Sequence, residues 1–358
     1  MKQKILVSLG TRPEIIRLSR IITKLKQVAD VIVVNTNQNF DPKLNENFLK
    51  EMDVEINHNL NARGTFAEQC AIVFMGIEHL INQEKPDKVM ILGDTNSGLA
   101  ASVAKRMGIL VYHLEAGNRC FDDNVPEEIN RRVIDSCSDI LMPYTERAKE
   151  NLVAEGIPRR RIFITGNPIY EVIKYYVKKE VVAVKPPKPY YLITLHRSEN
   201  VDNLERFAKF LQMFRAFAEL HPDEEVIVST HPHTRLNMNK MGIAMDTMPK
   251  NLIFSEPFGF SEFVNLEKKA TMVFTDSGTV QEECAILNVP NMTLRTTTER
   301  PETIESGSAI LINQDFDLMT NDFFQNVTGT APEGYLDTNV SDKVVKIILG
   351  YYKGDLLF

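Results

Sequence analysis

The chain has 358 residues and a formal net charge of −7, and 43% of its residues are hydrophobic while 25% are charged. This composition is typical of a globular protein with a large core, and at about 150 residues per domain the length predicts two domains. The acidic balance argues against general binding to nucleic acid or to an anionic membrane, and no apolar run approaches the roughly 18 residues of a membrane span.

Strand-like and helix-like segments alternate through the first half of the chain. Short apolar runs predict strands at 5–8, 31–35, 89–92, 109–112, 140–143 and 162–165. Helical patterns between them predict helices at 13–26, near 45–52, at 66–82, from about 95 to 105 and from 126 onward. This alternation predicts a parallel sheet that is covered by helices on both faces.

A charged and proline-rich segment, 178–189, interrupts the rhythm and predicts a linker between domains. The alternation then resumes with predicted strands at 190–194, 225–229, 272–275 and 292–294. We therefore predict an α/β fold with two Rossmann-like doubly wound domains, 1–175 and 176–340, that face each other across a ligand cleft. An amphipathic helix at 341–351 is expected to return the segment 341–358 to the first domain.

The stretch HLEAGNRCFDDNVPEEINRR, residues 113–132, combines acidic and basic residues after a predicted strand. Pro126 suits the first position of a helix, and Glu127 then lies in the first turn, where the helix dipole favours an anion. Arg131 follows Glu127 by four residues and is expected on the same helix face. An ionised carboxylate in this setting is a candidate general base. The alternative is an ordinary salt-bridged helix start.

Two strand-to-helix turns are candidate anion sites. In the first domain, the backbone donors after Gly10 lie next to Arg12, and Arg17 follows one turn later. In the second domain, Ser277 and Gly278 follow a predicted strand and precede a helix with several acidic residues. One such turn in each domain suits a nucleoside diphosphate. The alternatives are a plain turn in the first case and a helix cap in the second.

Polar residues also follow other predicted strands. His196, Arg197 and His231 follow strands of the second domain, and Asp94 follows a strand of the first, where it could instead cap a helix. The HPH spacing around His231 is too short for both rings to bind one metal comfortably, and the four cysteines form no CxxC pair. The GxGxxG fingerprint of dinucleotide-binding folds is missing from this sequence. We therefore expect no metal or cofactor, and a reducing cytoplasmic location.

Nine motifs in one order resemble the non-hydrolysing UDP-N-acetylglucosamine 2-epimerases. They are GTRPEIIRLSR, GDTNSGLAA, HLEAGNRCFD, PEEINRR, ITGNP, LHRSEN, STHPHTR, TDSGTVQEE and TTTERPE, and together they extend over nearly the whole chain. The resemblance implies a glycosyltransferase-B-like fold, a homodimer and inversion of carbon 2 of a UDP-sugar. In that reaction UDP is eliminated to leave a 2-acetamidoglycal and is then added back, with no cofactor.

The resemblance also implies roles for individual residues. The catalytic positions of the family fall on Asp94, Glu115, Glu127, Arg131 and His231. Positions that bind UDP or shape its pocket fall on Arg12, Arg17, His196, Arg197, Ser277, Gly278, Glu283, Arg295, Thr298, Glu299 and Arg300. Glu283 is the expected acceptor for the ribose hydroxyls. Arg17 stands where the family usually has lysine, which keeps the charge but not the geometry.

The identity of the sugar is a finer expectation. HLEAGNRCFD, NQNFD and TNVSDKVVKII resemble the subset that forms UDP-N-acetyl-L-fucosamine for capsule or O-antigen. The usual TGQH of the N-acetylglucosamine enzymes appears here as Thr36-Asn37-Gln38-Asn39, which puts their allosteric activation by substrate in doubt. UDP-N-acetylglucosamine remains the alternative substrate. A UDP-sugar glycosyltransferase and a non-catalytic nucleotide-sugar sensor are the rival functions, but neither needs Glu115, Glu127 and His231 together.

Overall fold

The structure is a computed structural model, and it describes residues 2–37, 48–177, 189–243, 247–325 and 327–351. Residue contacts divide the chain into two compact units. The first unit is Met1–Tyr176 with Glu333–Phe358, and the second is Val177–Pro332. No helix within the described ranges is both long and apolar enough to span a membrane.

The first unit is built on a parallel sheet of six strands. In chain order these are β1 (Lys4–Leu9), β2 (Asp30–Asn35), β3 (His58–Asn59), β4 (Lys88–Leu92), β5 (Leu110–Leu114) and β6 (Ile140–Met142). Their order across the sheet is β3-β2-β1-β4-β5-β6. The strands are runs of almost fully buried residues, as expected for a parallel sheet that is covered on both faces.

Helices connect these strands. They are α1 (Arg12–Val28), α2 (Phe66–Glu84), α3 (Ala100–Arg106), α4 (Pro126–Cys137), α5 (Glu146–Ala154) and α6 (Ile169–Tyr176). A short 3₁₀ helix, Asn96–Leu99, precedes α3. The C-terminal helix, Val340–Gly350, packs against α1, where Lys24 and Asp342 form an ion pair of 2.8 Å.

The second unit repeats the architecture with a second six-stranded parallel sheet. Its strands are β7 (Tyr190–Thr194), β8 (Glu225–Ser229), β9 (Leu252–Ser255), β10 (Met272–Thr275), β11 (Asn291–Thr293) and β12 (Ile310–Leu311), in the order β12-β11-β10-β7-β8-β9. Its helices are α7 (Ser198–Val201), α8 (Leu204–Leu220), α9 (Pro232–Lys240), α10 (Phe260–Lys269), α11 (Gly278–Leu287), α12 (Pro301–Glu305) and α13 (Phe316–Met319). A short 3₁₀ helix, Asp322–Gln325, follows α13.

The predicted fold class is confirmed, because each unit is a Rossmann-like doubly wound sheet. If the strands of each unit are counted from its own first strand, both sheets have the order 3-2-1-4-5-6. The order reverses between β1 and β4 in the first sheet, and between β7 and β10 in the second. We call these two positions the switch points. In such sheets ligands bind outside the carboxyl ends of the strands at the switch point.

Four sequence expectations need correction or fall outside the described residues. The strand predicted at 162–165 is wrong, because only Ile162 forms a bridge, with Leu141 of β6. The strand predicted to end at Tyr112 continues to Leu114, since His113 is also paired in the sheet with β4. The linker predicted at 178–189 lies almost entirely outside the described residues, as does the first part of the helix predicted near 45–52, of which residues 48–51 are helical.

Candidate active site

The switch point of the first sheet is bridged by a carboxylate, Glu14, that the sequence analysis did not single out. The backbone N–H groups of Gly10 and Thr11 donate to its Oε2 atom at 2.9 and 2.7 Å, and the Thr95 hydroxyl donates to Oε1 at 2.8 Å. Complete burial raises the pKa of Glu14, and these hydrogen bonds lower it. Burial has the larger effect, so the pKa is about 7. The Thr-x-x-Glu spacing of a capping box was the available signal for this residue.

Glu14 occupies the turn at which the sequence predicts an anion site. The N–H groups of Gly10 and Thr11, which were expected to face a ligand, are used by the protein itself. Arg17 also differs from the expectation, because its guanidinium forms a buried ion pair with Glu115. Arg12 lies at the first position of α1, with its guanidinium 5.2 Å from the centre of the Phe48 ring.

Glu115 is the buried carboxylate at the end of β5. Besides Arg17, it accepts a hydrogen bond of 3.1 Å from the hydroxyl of Tyr144, a contact that no sequence pattern indicated. Its backbone has φ of +71°, a left-handed conformation that is uncommon for residues other than glycine. Strained backbone of this kind is found at functional sites, where the surrounding structure enforces it.

Asp94 and Arg131 form another ion pair in the first unit. The Nε and Nη2 atoms of Arg131 donate to Asp94 Oδ2 at 2.8 and 2.5 Å. Asp94 therefore does not act as the helix cap that was its alternative role, and the residue at the cap position is Thr95. The two residues are 37 positions apart, and the neighbouring ends of β4 and β5 bring their elements together.

The Nη1 atom of Arg131 donates to Glu128 at 2.7 Å, a contact that the sequence pattern did not indicate. Glu128 is fully buried and also accepts the backbone N–H groups of Cys120 and Phe121 at 3.0 and 3.1 Å. Burial would raise the pKa of Glu128, but the bonds from Cys120 and Arg131 hold it below its usual value. Glu127 lies in the first turn of α4, as expected, and is partly exposed.

The switch point of the second sheet is bridged by Asp276, at the end of β10. The backbone N–H groups of His196 and Arg197, just after β7, donate to it at 3.1 and 2.9 Å, and the Asn200 amide donates at 3.0 Å. The His196 ring lies 3.2 Å from Oδ1. Burial alone would raise the pKa of Asp276, but the charge and hydrogen bond of His196, with the other donors, lower it to about 2.

Three arginines of the second unit surround one carboxylate, Glu299. Arg197 and Arg295 bind it at 3.1 and 2.6 Å, and a nitrogen of Arg300 lies 3.9 Å away. The Oε1 atom of Glu299 stands against Gly278, at the first position of α11, where an added Cβ atom would meet it. Guanidinium groups and a helix start are typical components of a phosphate site. The structure therefore brings the predicted residues Arg197, Gly278, Arg295 and Arg300 together around Glu299.

The remaining predicted residues of the second unit have internal partners. The Thr298 hydroxyl donates to Gln281 at 2.8 Å and accepts the backbone N–H of Arg300 at 3.0 Å. The Nε atom of Arg300 pairs with the buried Glu282, a partner that the sequence analysis missed. Ser277 occupies the cap position of α11, but its side chain forms no cap hydrogen bond.

His231 caps α9, and its Nδ1 atom accepts the backbone N–H of His233 at 3.2 Å. Because Nδ1 accepts, the ring proton is on Nε2, which is therefore a donor. The rings of His231 and His196 have their centres 6.3 Å apart. Glu283 is buried, with 3% of its surface exposed. Among the residues that the structure describes, no group of three or more His, Cys, Asp or Glu side chains is placed to hold a metal ion.

Asn37 belongs to the stretch that departs from the usual TGQH of the resembled family. Its backbone has φ of +56°, and its side chain donates to Asn61 at 2.9 Å. Asparagine is the residue besides glycine that tolerates this conformation best, so the exchange of glycine for Asn37 preserves the backbone of the turn. The neighbouring Asn39 lies outside the described residues.

Comparisons with known proteins agree with this geometry. The family model described as UDP-N-acetylglucosamine 2-epimerase matches residues 23–349. The UDP-N-acetylglucosamine 2-epimerase of Methanocaldococcus jannaschii is 42% identical over 87% of this chain and 89% of its own length. That of Methanococcus maripaludis is 36% identical over 94% of this chain and 98% of its own. The crystal structure of the M. jannaschii UDP-GlcNAc 2-epimerase in complex with UDP-GlcNAc and UDP is similar with a TM-score of 0.90, at 38% identity over 98% of this chain and all of that one.

Proposed function

The chain belongs to the UDP-N-acetylglucosamine 2-epimerase family, and from this premise we propose that it inverts carbon 2 of a UDP-N-acetylhexosamine. The observation that supports this most is the pairing of carboxylates with arginines at the strand ends of the first unit. Asp94 is bound by Arg131, and Glu115 is bound by Arg17. An arginine beside each carboxylate holds it in place, and a positioned carboxylate is a candidate general base.

The proposed reaction proceeds by elimination and addition of UDP. The bond between carbon 1 of the sugar and the diphosphate oxygen breaks, and UDP leaves with the bonding electrons. Positive charge at carbon 1 then acidifies the proton on carbon 2, and its removal forms the double bond of a 2-acetamidoglycal. In the return step, a proton is added to the opposite face of carbon 2, and UDP forms its bond to carbon 1 again. Atoms and charge balance, and no cofactor takes part.

The first unit supplies the groups that move protons in this proposal. The catalytic set is that of the sequence analysis, namely Asp94, Glu115, Glu127 and Arg131, with His231 of the second unit. We assign the proton transfer at carbon 2 to Glu127, because it lies in the first turn of α4 and is partly exposed. The Nε2–H of His231 is a donor that can stabilise the departing diphosphate. Arg17 holds Glu115 and is proposed as its partner rather than as a ligand of UDP.

The second unit supplies the groups that hold UDP, with the exception of Arg12, which belongs to the first unit. Its arginines and the first turn of α11 match the negative charge of a diphosphate. We propose that the nucleotide is bound by Arg12, His196, Arg197, Ser277, Gly278, Glu283, Arg295, Thr298 and Arg300. A glycosyltransferase would use the same nucleotide groups, but it would transfer the sugar to an acceptor. Exchange of the carbon 2 proton without any acceptor therefore distinguishes the two functions.

The test is incubation of the purified protein with UDP-N-acetylglucosamine in heavy water. We expect the 2-epimer to form and deuterium to enter carbon 2, as seen by proton NMR. In Glu127→Gln, which keeps the shape but removes the base, exchange should fall by about 10² to 10⁴. UDP affinity should stay unchanged, because the proposed nucleotide contacts lie elsewhere.

Glu146→Gln is the matched control for this variant. Glu146 also lies in the first turn of a helix, α5, but it is exposed and pairs with Lys149. It should exchange deuterium like the unaltered protein. Normal exchange in Glu127→Gln would remove Glu127 from the mechanism, and absence of exchange in the unaltered protein with every UDP-sugar tried would contradict the proposed function.

Two UDP-sugars are candidates for the substrate. The relatives reported above carry the name UDP-N-acetylglucosamine 2-epimerase, which favours that substrate. The motifs HLEAGNRCFD and TNVSDKVVKII favour the substrate that yields UDP-N-acetyl-L-fucosamine for surface polysaccharide. Comparing kcat/KM for the two UDP-sugars decides between them. We expect one to exceed the other clearly, since a pocket that bonds the hydroxyl on carbon 6 rejects a 6-deoxy sugar.

We also propose that the protein is a homodimer. Helix α2 exposes two successive apolar side chains, with Phe74 exposed by 37% and Met75 by 72%. Exposed apolar residues close together on one helix are typical of a protein–protein interface. Sedimentation equilibrium should give twice the chain mass, and Met75→Glu should shift the equilibrium to monomer. A monomer at all concentrations of the unaltered protein would contradict the proposal.

A further inference from the structure

His113 lies in β5 with only 1% of its surface exposed, and both of its ring nitrogens face acceptors. Nε2 lies 2.9 Å from the carbonyl oxygen of Gly93, and Nδ1 lies 2.7 Å from Oδ1 of Asp135. A carbonyl oxygen can only accept, so Nε2 must carry a proton. The state of Nδ1 then depends on whether Asp135 is ionised.

Asp135, on α4, accepts hydrogen bonds from two partners besides His113. Its Oδ2 atom accepts from Arg119 Nη2 at 2.7 Å and from the backbone N–H of Gly117 at 3.1 Å. Burial would raise the pKa of Asp135, but His113 and Arg119 together hold it below its usual value. An ionised carboxylate has no proton to donate, so Nδ1 of His113 must donate as well.

Arg119 connects this pair to a second carboxylate. It binds Glu155 through Nε and Nη2 at 2.8 and 2.6 Å. The Glu155 side chain is 35% exposed, so solvent screens its charge, whereas Asp135 is buried with Arg119 and His113 as its side-chain partners. A buried carboxylate is tolerated when it is paired in this way.

The cluster connects three elements that carry proposed catalytic residues. Gly93 immediately precedes Asp94. Gly117 belongs to the turn that begins with Glu115, and both residues have positive φ, +82° and +71°. A Cβ atom at Gly117 would overlap the backbone carbonyl of Ala148, so the turn is closely packed. Asp135 itself lies one turn after Arg131 on α4.

We propose that His113 is a buried imidazolium and that, with Asp135, it is a positioning residue for the epimerase reaction. The pair fixes the ends of β4 and β5 and helix α4 relative to one another. Neither residue contacts the substrate in this proposal. The kinetic consequence rests on the proposed function, whereas the charge state of His113 does not.

The charge state is tested on the full chain labelled with ¹⁵N in its histidine rings. Long-range nitrogen–proton spectra distinguish rings with one protonated nitrogen from rings with two. We expect one ring, absent from the spectrum of His113→Gln, to show two protonated nitrogens at about pH 7.5, where a free imidazole is mostly neutral. A single protonated nitrogen on His113 would overturn the proposal, whatever the protein catalyses.

The positioning role is tested with Asp135→Asn, which keeps the size of the side chain but removes its charge. We expect kcat to fall on the order of 10²-fold, because small displacements of catalytic groups have effects of that size. KM and UDP affinity should change little, since neither His113 nor Asp135 is among the proposed nucleotide contacts. Equal loss in kcat and UDP affinity, or an unchanged kcat, would contradict the positioning role.

Asp123→Asn is the matched control for this variant. Asp123 lies in the same segment, but its side chain is 70% exposed and pairs with Arg132 at 3.0 Å. It should leave kcat unchanged. If Asp135→Asn does not fold, the spectrum of the unaltered protein still decides the charge state of His113. Failure of every variant and of the unaltered protein to epimerise would count against the proposed function and not against the imidazolium.

Discussion

The switch points of the two sheets are each bridged by one buried carboxylate. Glu14 joins the end of β1 to Thr95 after β4, and Asp276 joins the end of β10 to His196 and Arg197 after β7. Each accepts two backbone N–H groups and at least one side-chain donor. The pKa of Glu14 is nevertheless raised to about 7, whereas that of Asp276 is lowered to about 2.

The difference between the two carboxylates is the charge of their partners. Burial is the largest influence on both, and it favours the neutral form. The bonds that the structure shows for Glu14 come from backbone N–H groups and threonine hydroxyls, which are neutral. Asp276 also faces the His196 ring. Neutral donors therefore reduce the effect of burial without cancelling it, and a nearby cation reverses it.

Glu14→Gln should have the largest effect on stability as a function of pH. The pKa of Glu14 rises from 4.5 in the unfolded chain to about 7 in the fold, so the folded state binds more protons between these values. The free energy of unfolding should therefore fall as pH rises through this range, by roughly 3 kcal/mol, since one pKa unit is about 1.4 kcal/mol. Urea unfolding of Glu14→Gln at several pH values should lack this slope.

The capping box of α2 provides the control for Glu14. Glu68 has the same spacing from Thr65 and the same bonds to it, but it is exposed, and its pKa is lowered by those bonds. Glu68→Gln should leave the slope between about pH 4.5 and about pH 7 in place. A Glu14→Gln protein with an unchanged slope would show that Glu14 stays ionised in the fold.

Asp276→Asn should have the next largest effect, with the opposite dependence on pH. The folded pKa is about 2 against 3.8 in the unfolded chain, so the stabilisation is present above the higher value and is lost as pH falls through the lower one. The variant should lose roughly 2 kcal/mol at neutral pH, where the unaltered protein has the full benefit. Asp315→Asn, at the exposed cap of α13, is the control and should match the unaltered protein.

Thr95→Val should remove one neutral donor from Glu14 and cost about 1 kcal/mol at neutral pH. This donor lowers the pKa of Glu14, so its loss should raise that pKa. The free energy of unfolding should then continue to fall up to a higher pH than in the unaltered protein. Urea unfolding against pH measures both changes. Thr95→Ser keeps the hydroxyl, so its stability and its pH dependence should match those of the unaltered protein. If the free energy of unfolding of Thr95→Val stops falling at the same pH as in the unaltered protein, the Thr95 bond does not lower the pKa of Glu14.

His196→Gln should have the smallest effect and would test the comparison directly. Without the ring, Asp276 should resemble Glu14, so its pKa should rise and unfolding by acid should begin at higher pH. The His196 side chain is 37% exposed, so solvent screens its charge and the cost should stay under about 1 kcal/mol. His233→Gln is the control, because that ring is equally exposed and pairs with the exposed Asp202. If His196→Gln and the unaltered protein unfold in acid with the same pH midpoint, the His196 ring does not lower the pKa of Asp276.

The strands could be predicted where a short apolar run stands alone between turns. The predicted bounds 190–194, 225–229 and 272–275 agree with β7, β8 and β10, because a buried parallel strand must be apolar along its whole length. The same criterion failed at 162–165, where Phe163 and Thr165 donate to the carbonyl groups of Leu141 and Pro143, but only Ile162 forms a bridge.

The pairing of charged side chains could not be predicted in the same way. Spacing along α4 placed Glu127 on the face of Arg131, but it did not indicate the bonds of Arg131 to Glu128 and Asp94. Spacing along α1 suggested that Arg17 would join an anion site, but it binds Glu115, 98 positions away. Helical spacing restricts which residues share a face, but it contains no information about carboxylates that other strands bring to that face.

The sequence by itself determined the α/β rhythm, the two-domain class, the family and the residue types at the strand ends. The family followed from the resemblance of nine ordered motifs, and the other features follow from short-range patterns, because apolar runs, turns and caps involve neighbours in the chain. Only the tertiary structure decided which carboxylate has a cation and which has neutral donors. That choice depends on the order of the parallel strands, which brings Thr95 to Glu14 and His196 to Asp276 across 81 and 80 positions. The same contacts raise one pKa and lower the other, since burial and charge act through distance in space.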